Sequence, residues 1–177
     1  MPAAINLSWI TDHLAVGGSF GSDATEALAR DLGISAIVDL RIEACDDVAL
    51  MRQHGVLFLH LPTEDHCAVS QEMLSEGVAF VTPHLAAGER VLVHCEHGIG
   101  RSATLALCVL VAGGHDPLDA LSLAKGRRSL VSPSPAQYEA WAAWLERFRS
   151  ESGAAFAIPS FDAFGAIAYS HLRAKAG

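Results

Sequence analysis

The stretch Val91–Ala112, VLVHCEHGIGRSATLALCVLVA, decides how the chain is read. Val91-Leu92-Val93 is a short apolar run, expected as a buried strand. Ser102 to Ala112 is almost wholly apolar and is expected as a buried helix. Between them a turn carries Cys95, then five residues, then Arg101. Strand, glycine-bearing turn and helix make an anion cradle. Turn amides point inward, and the positive end of the helix dipole points at the same spot. The field that draws an anion there also favours a thiolate over a thiol, which makes Cys95 a candidate nucleophile. The planar fork of Arg101 can grip two oxygens of a bound tetrahedral anion. Gly98 and Gly100 let the backbone close around it. The nominated anion-binding loop is therefore Glu96, His97, Gly98, Ile99, Gly100 and Arg101.

Upstream, Trp9 to Val16 suits one or two edge strands. Ser22 or Asp23 can cap a helix to about Leu32, which Gly33 stops. Ile34–Leu40 reads as a buried strand, Asp46–His54 as a short helix and Val56–Leu61 as another strand. That alternation predicts parallel pairing with helices on the faces. Pro62 is expected to end the strand, leaving Pro62–Val69 (PTEDHCAV) as a loop. Ser70 caps the next helix, with Leu74, Val78, Val81 and Leu85 at helical spacing and Pro83 predicting a kink or an early break. Downstream, Asp116-Pro117 starts a helix ending near Gly126, beside the basic cluster Lys125, Arg127 and Arg128. Ser134-Pro135 starts another, with Tyr138, Trp141, Leu145 and Phe148 as one apolar stripe. Ser152-Gly153 reads as a hinge, followed by a helix over Phe161–Lys175.

Composition narrows the function classes. Twelve basic against 20 acidic residues give a net charge of −8, which argues against a general nucleic-acid or anionic-membrane binder. Phosphate affinity must then come from a local cradle. An apolar share of 51% supports a full core in 177 residues, with one domain as the default. Four cysteines (Cys45, Cys67, Cys95 and Cys108) are too few for a disulfide framework. MPAAINLSWITDHL carries no secretory pattern, and the longest apolar run, Ala103–Ala112, is too short for a bilayer. A cytoplasmic location is the simplest expectation.

His94, Cys95, Gly98, Arg101 and Ser102 resemble the H-C-x-x-G-x-x-R-[ST] phosphate loop of the cysteine-dependent protein tyrosine phosphatases. The flanking V-L-V-H-C and G-I-G-R-S-A-T are most similar to the small dual-specificity branch. From about Asn6 to Phe148 the order of elements resembles that fold. The resemblance implies an α/β architecture, a central mostly parallel sheet flanked by helices. It implies a catalytic domain over 1–150 with an apolar tail, expected as a helix, over 151–177. The implied activity is hydrolysis of phosphomonoesters in proteins, on phosphotyrosine and by extension phosphoserine or phosphothreonine, through a cysteinyl-phosphate. No cofactor and no metal is implied, and the expected partner is a phosphorylated protein or a small phosphate ester. A general acid is needed opposite the nucleophile. The family carries an aspartate on an upstream loop, and Asp65 in LPTEDHCAVS sits where the match puts it, with Glu64 as its neighbour. Ser102 is implied to hydrogen-bond the sulfur and help it leave, or it serves as a helix N-cap. His94 is implied to order the loop from behind.

Other readings stay open at this stage. Gln137 either positions a hydrolytic water or completes an S-x-x-Q capping box with Ser134. Glu96 and His97 depart from common family members. An inward Glu96 would disfavour polyanions, and His97 could offset it when protonated. His60, His66, Cys67, His94, Cys95 and His97 lack zinc spacing, and Cys108 reads as plain core. Cys67 is a candidate disulfide partner for an oxidised Cys95. Arg127 and Arg128 are expected to flank the pocket and favour acidic peptides. The alternative substrate is a non-protein phosphate such as a phosphoinositide or an RNA 5′ phosphate, and a non-enzymatic phosphate-binding module is the third reading. Low-molecular-weight and arsenate-reducing relatives carry the motif at the N-terminus, whereas here it lies mid-chain.

Overall fold

A computed structural model describes residues 4–175. The expectations touching residues 1–3 and 176–177 lie outside the described residues. Five strands form one sheet in the order β1-β2-β5-β3-β4. These are β1 (Leu7–Trp9), β2 (Leu14–Gly17), β3 (Ile34–Arg41), β4 (Leu57–Thr63) and β5 (Arg90–His94). β2, β5, β3 and β4 run parallel, and only β1 is antiparallel to its neighbour.

Parallel strands need crossovers, and helices supply them on both faces. On one face lie α3 (Gln71–Ala86), α4 (Arg101–Ala112), α5 (Pro117–Arg127) and α6 (Pro135–Ser152). They cover a large core that takes Val38 and Leu40 of β3 and Val91 and Val93 of β5. On the other face α1 (Thr25–Arg30) and α2 (Val48–Gln53) cover a smaller core with Ile37, Leu92, Leu28 and Met51. Adjacent residues of β5 thus feed opposite cores, as the period of two requires. α4 is buried almost along its whole length, from Arg101 to Val111.

Several details differ from the sequence reading: β2 lies inside the sheet and not at its edge, and α1 starts at Thr25 after a 3-10 turn over Ser22–Ala24, capped by neither Ser22 nor Asp23. β4 runs through Pro62 to Thr63, because β4 is an edge strand and its register with β3 shifts between His60 and Thr63, the two settings in which a strand tolerates a missing N–H. α3 continues past Pro83 to Ala86, with the proline lying near its C-terminal end. The helix expected over Asp46–His54 is α2 over Val48–Gln53, capped by Asp47, whose Oδ1 accepts the Leu50 N–H at 2.9 Å. The tail helix stops at Tyr169: α7 covers Phe161–Ala168, and a short α8 covers Ser170–Arg173. Ser160 caps α7, and Phe164 and Ala168 on it are buried in the large core.

Candidate active site

In a parallel sheet the carboxyl ends of the strands open onto one edge, where loops gather. Here those loops are Gly18–Ser19 after β2, Ile42–Asp47 after β3, Glu64–Val69 after β4 and Cys95–Gly100 after β5. Cys95 is 2% exposed, at the floor of a cavity of about 170 Å³. Asp65, His66, His97, Ile99, Gly100, Ser132 and Gln137 complete the lining. The Cys95 sulfur lies 3.2 Å from the Ser102 hydroxyl. Ser102 is in the first turn of α4 and is not its cap. Gly100 holds that position, with no side chain bonded to the helix end, so the leading amides stay available to an anion.

Arg101 is fully buried, and its donors can be assigned one by one. Nη1 donates to the Thr63 carbonyl at 2.8 Å and to Glu43 Oε2 at 2.8 Å. Nη2 donates to Glu43 Oε1 at 2.7 Å. A guanidinium has five N–H bonds. Among the described residues Nε has no partner, and one Nη2 hydrogen makes no hydrogen bond. Those two form one edge of the fork, a geometry that can grip two oxygens of a tetrahedral anion. Asp65 Oδ1 approaches that Nη2 at 3.4 Å. Burial opposes the Arg101 charge, but the bonds to Glu43, together with the fields of Cys95, Glu43 and Asp65, outweigh it and hold the group above its ordinary value. Its partner Glu43 is pulled down to about 2 by the same pair of bonds.

Asp65 is 44% exposed, and its Oδ1 accepts the His66 N–H at 3.0 Å. His66 holds a left-handed backbone, φ 62°, which a non-glycine residue adopts at a cost. Glu64 faces the Cys67 thiol at 3.8 Å and does not line the cavity. The loop residue Glu96 turns away from the cavity: its Oε1 accepts from the Ser19 hydroxyl at 3.1 Å, and its Oε2 lies 3.5 Å from Arg41. Behind the loop His94 Nε2 meets Asp46 Oδ2 at 2.6 Å, and Arg41 bridges Asp39 and Asp46 at 2.9 Å each. Asp39, Asp46 and His94 are close enough together to suggest a cation site, and the Arg41 guanidinium already supplies a positive charge there. Gln137 completes the capping box with Ser134 and donates to the Cys67 carbonyl at 3.2 Å, so both ends of its amide are engaged. Arg127 is exposed, whereas Arg128 is buried and does not line the cavity, so the pair does not flank it as expected.

Sequence reasoning missed Glu43, Arg41 and Asp46. One signal was available: RIEACDD follows a strand expected to lie beside the central one, so its loop had to reach the same sheet edge.

A thiol under a helix-capped anion loop, at the carboxyl edge of a five-stranded α/β sheet, defines the cysteine-dependent phosphatase class. A family model described as "Polymorphic toxin system, DSP-PTPase phosphatase" matches residues 18–115, just over half of the chain, and the chain belongs to that family. Dual specificity protein phosphatase 1 of Mus musculus is 32% identical over 127 residues, covering 71% of this chain and 33% of that protein. The phosphatidylglycerophosphate phosphatase PTPMT1 of Arabidopsis thaliana is 30% identical over 125 residues, covering 68% of this chain and 36% of that protein. The chain thus spans about a third of the length of these curated relatives. Among solved structures, Tk-PTP in its active form superposes with a TM-score of 0.73 at 27% identity, covering 80% of this chain and 97% of that one. PTPMT1 in complex with PI(5)P gives 0.75 at 23% identity, covering 81% and 96%, a likeness of fold alone. Among the described residues no helix is long and apolar enough to cross a membrane.

Proposed function

We propose that this chain hydrolyses phosphomonoesters on phosphotyrosyl proteins through a cysteinyl-phosphate. The observation that carries the reading is the edge of Arg101 that Glu43 and Thr63 leave open: an Nε–H without a partner among the described residues, beside an Nη2 hydrogen with only Asp65 Oδ1 near it, at 3.4 Å. The Cys95 sulfur attacks phosphorus as the bond to the ester oxygen breaks. The leaving oxygen takes its proton from Asp65, which faces the cavity from the loop after β4. The Asp65 carboxylate then accepts a proton from water, which attacks phosphorus and breaks the S–P bond. The Ser102 hydroxyl, 3.2 Å from the sulfur, stabilises the departing thiolate. Backbone amides of residues 96–101 hold the phosphoryl oxygens, and His94 orders the loop from behind through Asp46. A sulfur at the floor of a cavity requires a phosphate on an extended stem, and an aryl ring supplies one.

Hydrolysis of a small aryl phosphate across pH, by the native chain, Cys95→Ser and Asp65→Asn, tests the assignment. Loss of turnover in Cys95→Ser and a large drop in Asp65→Asn are expected. Full activity in Cys95→Ser would overturn the thiolate mechanism. The relative PTPMT1 favours a second substrate class, a phospholipid monoester. Parallel assays on a phosphotyrosyl peptide and on phosphatidylglycerophosphate vesicles separate the two. A higher kcat/KM on the vesicles would replace the first reading with the second.

A further inference from the structure

Arg128, just beyond α5, is 6% exposed, and every polar atom of its side chain is engaged. Nε donates to the Gly98 carbonyl at 2.7 Å, and Nη2 donates to the His97 carbonyl at 2.9 Å. The remaining bonds go to Asn6 Oδ1 at 2.9 Å and to the Ser8 hydroxyl at 3.2 Å. All four partners are neutral, and among the described residues no carboxylate pairs with this cation. A buried arginine without a carboxylate is costly, and burial accordingly pushes its charge state down. The group whose field favours the charge is Cys95.

The two carbonyls matter because a peptide unit is planar and trans. Its C=O and the following N–H point in opposite directions. Drawing the His97 and Gly98 carbonyls back to Arg128 turns the Gly98 and Ile99 N–H groups the other way, to the side of the loop opposite Arg128; of the two, Ile99 lines the cavity. Gly98 also sits at φ 66°, where an added Cβ would lie 2.6 Å from Arg128 Nη2 and from the Gly17 backbone. The loop at this point is clamped between β2 and Arg128.

We infer that Arg128 is a positioning residue of the phosphate site: it fixes the inward direction of two loop amides, and its charge is balanced by the Cys95 thiolate and the bound phosphoryl group. It acts through the loop backbone and does not touch substrate. The inference rests on the reading of the loop as a phosphate cradle.

The experiment compares the native chain with Arg128→Met and Arg128→Lys. It follows vanadate affinity, kcat and KM on an aryl phosphate, alkylation of Cys95 by iodoacetate at pH 6, and thermal stability. Loss of preorganised donors predicts vanadate affinity down by about 100-fold in Arg128→Met. KM should rise in step, and alkylation of Cys95 should slow. Arg128→Lys keeps the charge but not the two-carbonyl grip, so its alkylation rate should recover while its vanadate affinity stays at least about tenfold low. A merely structural role would lower the melting temperature of both variants and leave vanadate affinity and alkylation of the folded protein unchanged, and that result overturns the inference. If Arg128→Met does not fold, Arg128→Lys decides alone, through affinity against stability. A native chain that neither turns over nor binds vanadate would instead sink the phosphatase reading itself.

Discussion

Glu43 shows how one carboxylate can set the direction of one guanidinium. It takes one hydrogen from each Nη of Arg101 and so leaves the Nε edge free. Its removal has two opposed effects on anion binding. The site loses a negative charge, whose repulsion of a bound anion is already weakened because the carboxylate is 40% exposed and paired with Arg101. The buried guanidinium loses charge-assisted bonds of about 1.5–3 kcal/mol each and with them its fixed orientation. The second effect is the larger, so Glu43→Gln should weaken vanadate binding by about tenfold, or about 1.4 kcal/mol. Tighter binding in a titration would show instead that Glu43 competes with the anion. The same pair has a pH signature. Its carboxyl falls from 4.5 to about 2 on folding, mainly through the Arg101 bonds. A group with a depressed folded value stabilises above its unfolded value and loses that contribution as pH falls through the folded one. The melting-temperature difference between the native chain and Glu43→Gln should therefore hold above pH 4.5 and shrink toward zero near pH 2.

Among the elements, α7 is tied to the active-site wall and is not a loose tail. Phe164 packs against Tyr138 and Trp141, with ring centroids 5.0 and 5.9 Å apart. The Tyr169 hydroxyl donates to the Pro133 carbonyl at 2.6 Å, and Lys125 Nζ donates to the carbonyls of Val131 and Ala168 at 2.8 Å each. That bolted segment includes Ser132, which lines the cavity and whose N–H donates to the Ile99 carbonyl at 3.0 Å. Phe164→Ala should cost about 3–5 kcal/mol, the usual range for a buried phenylalanine. For a chain of this length that is a fall of roughly 10 °C in melting temperature. A change under about 2 °C by calorimetry would mean that α7 is peripheral. The elements themselves were legible where periodicity and caps agreed, as at the central strand, α4, and α6 with its Ser134–Gln137 box. They were misread where tertiary position overrode local chemistry. Pro62 breaks a central strand but not an edge strand, and edge position is a property of the sheet. The Cys95–Arg101 loop could be read locally because its chemistry is contiguous. Glu43 and Arg128 could not, because their partners lie 58 and 30 residues away and only the folded sheet brings them together.

At the scale of the whole molecule, a net charge of −8 repels the anions that the proposed phosphate loop would hold. At 0.15 M ionic strength exposed charges more than about 8 Å away are screened, while a partly buried cradle is screened much less. The local field of Arg101, Arg128 and the leading amides of α4 should therefore win at Cys95 and lose elsewhere. The other thiols provide the internal comparison. Cys108 is buried in α4, and burial pushes its thiol well above its ordinary value. Cys45 is pushed up as well, by burial and then by Asp39 and Asp46. Cys67 is exposed beside Glu64. Iodoacetate, an anion, should label Cys95 faster than neutral iodoacetamide does at pH 6–7. Cys45 and Cys67 should show the reverse order, and Cys108 should stay unlabelled while the chain is folded. Added inorganic phosphate should protect Cys95 alone. Peptide mapping by mass spectrometry reads all four sites from one sample. The same reagent preference at Cys95 as at Cys67, with no phosphate protection, would mean that the field of the whole molecule overrides the cradle. Inversion at Cys95 alone is expected, because Arg101 and Arg128 are buried beside it, while Glu43 and Asp65 at the same edge are 40% and 44% exposed and screened, and Asp39 and Asp46 are paired with Arg41.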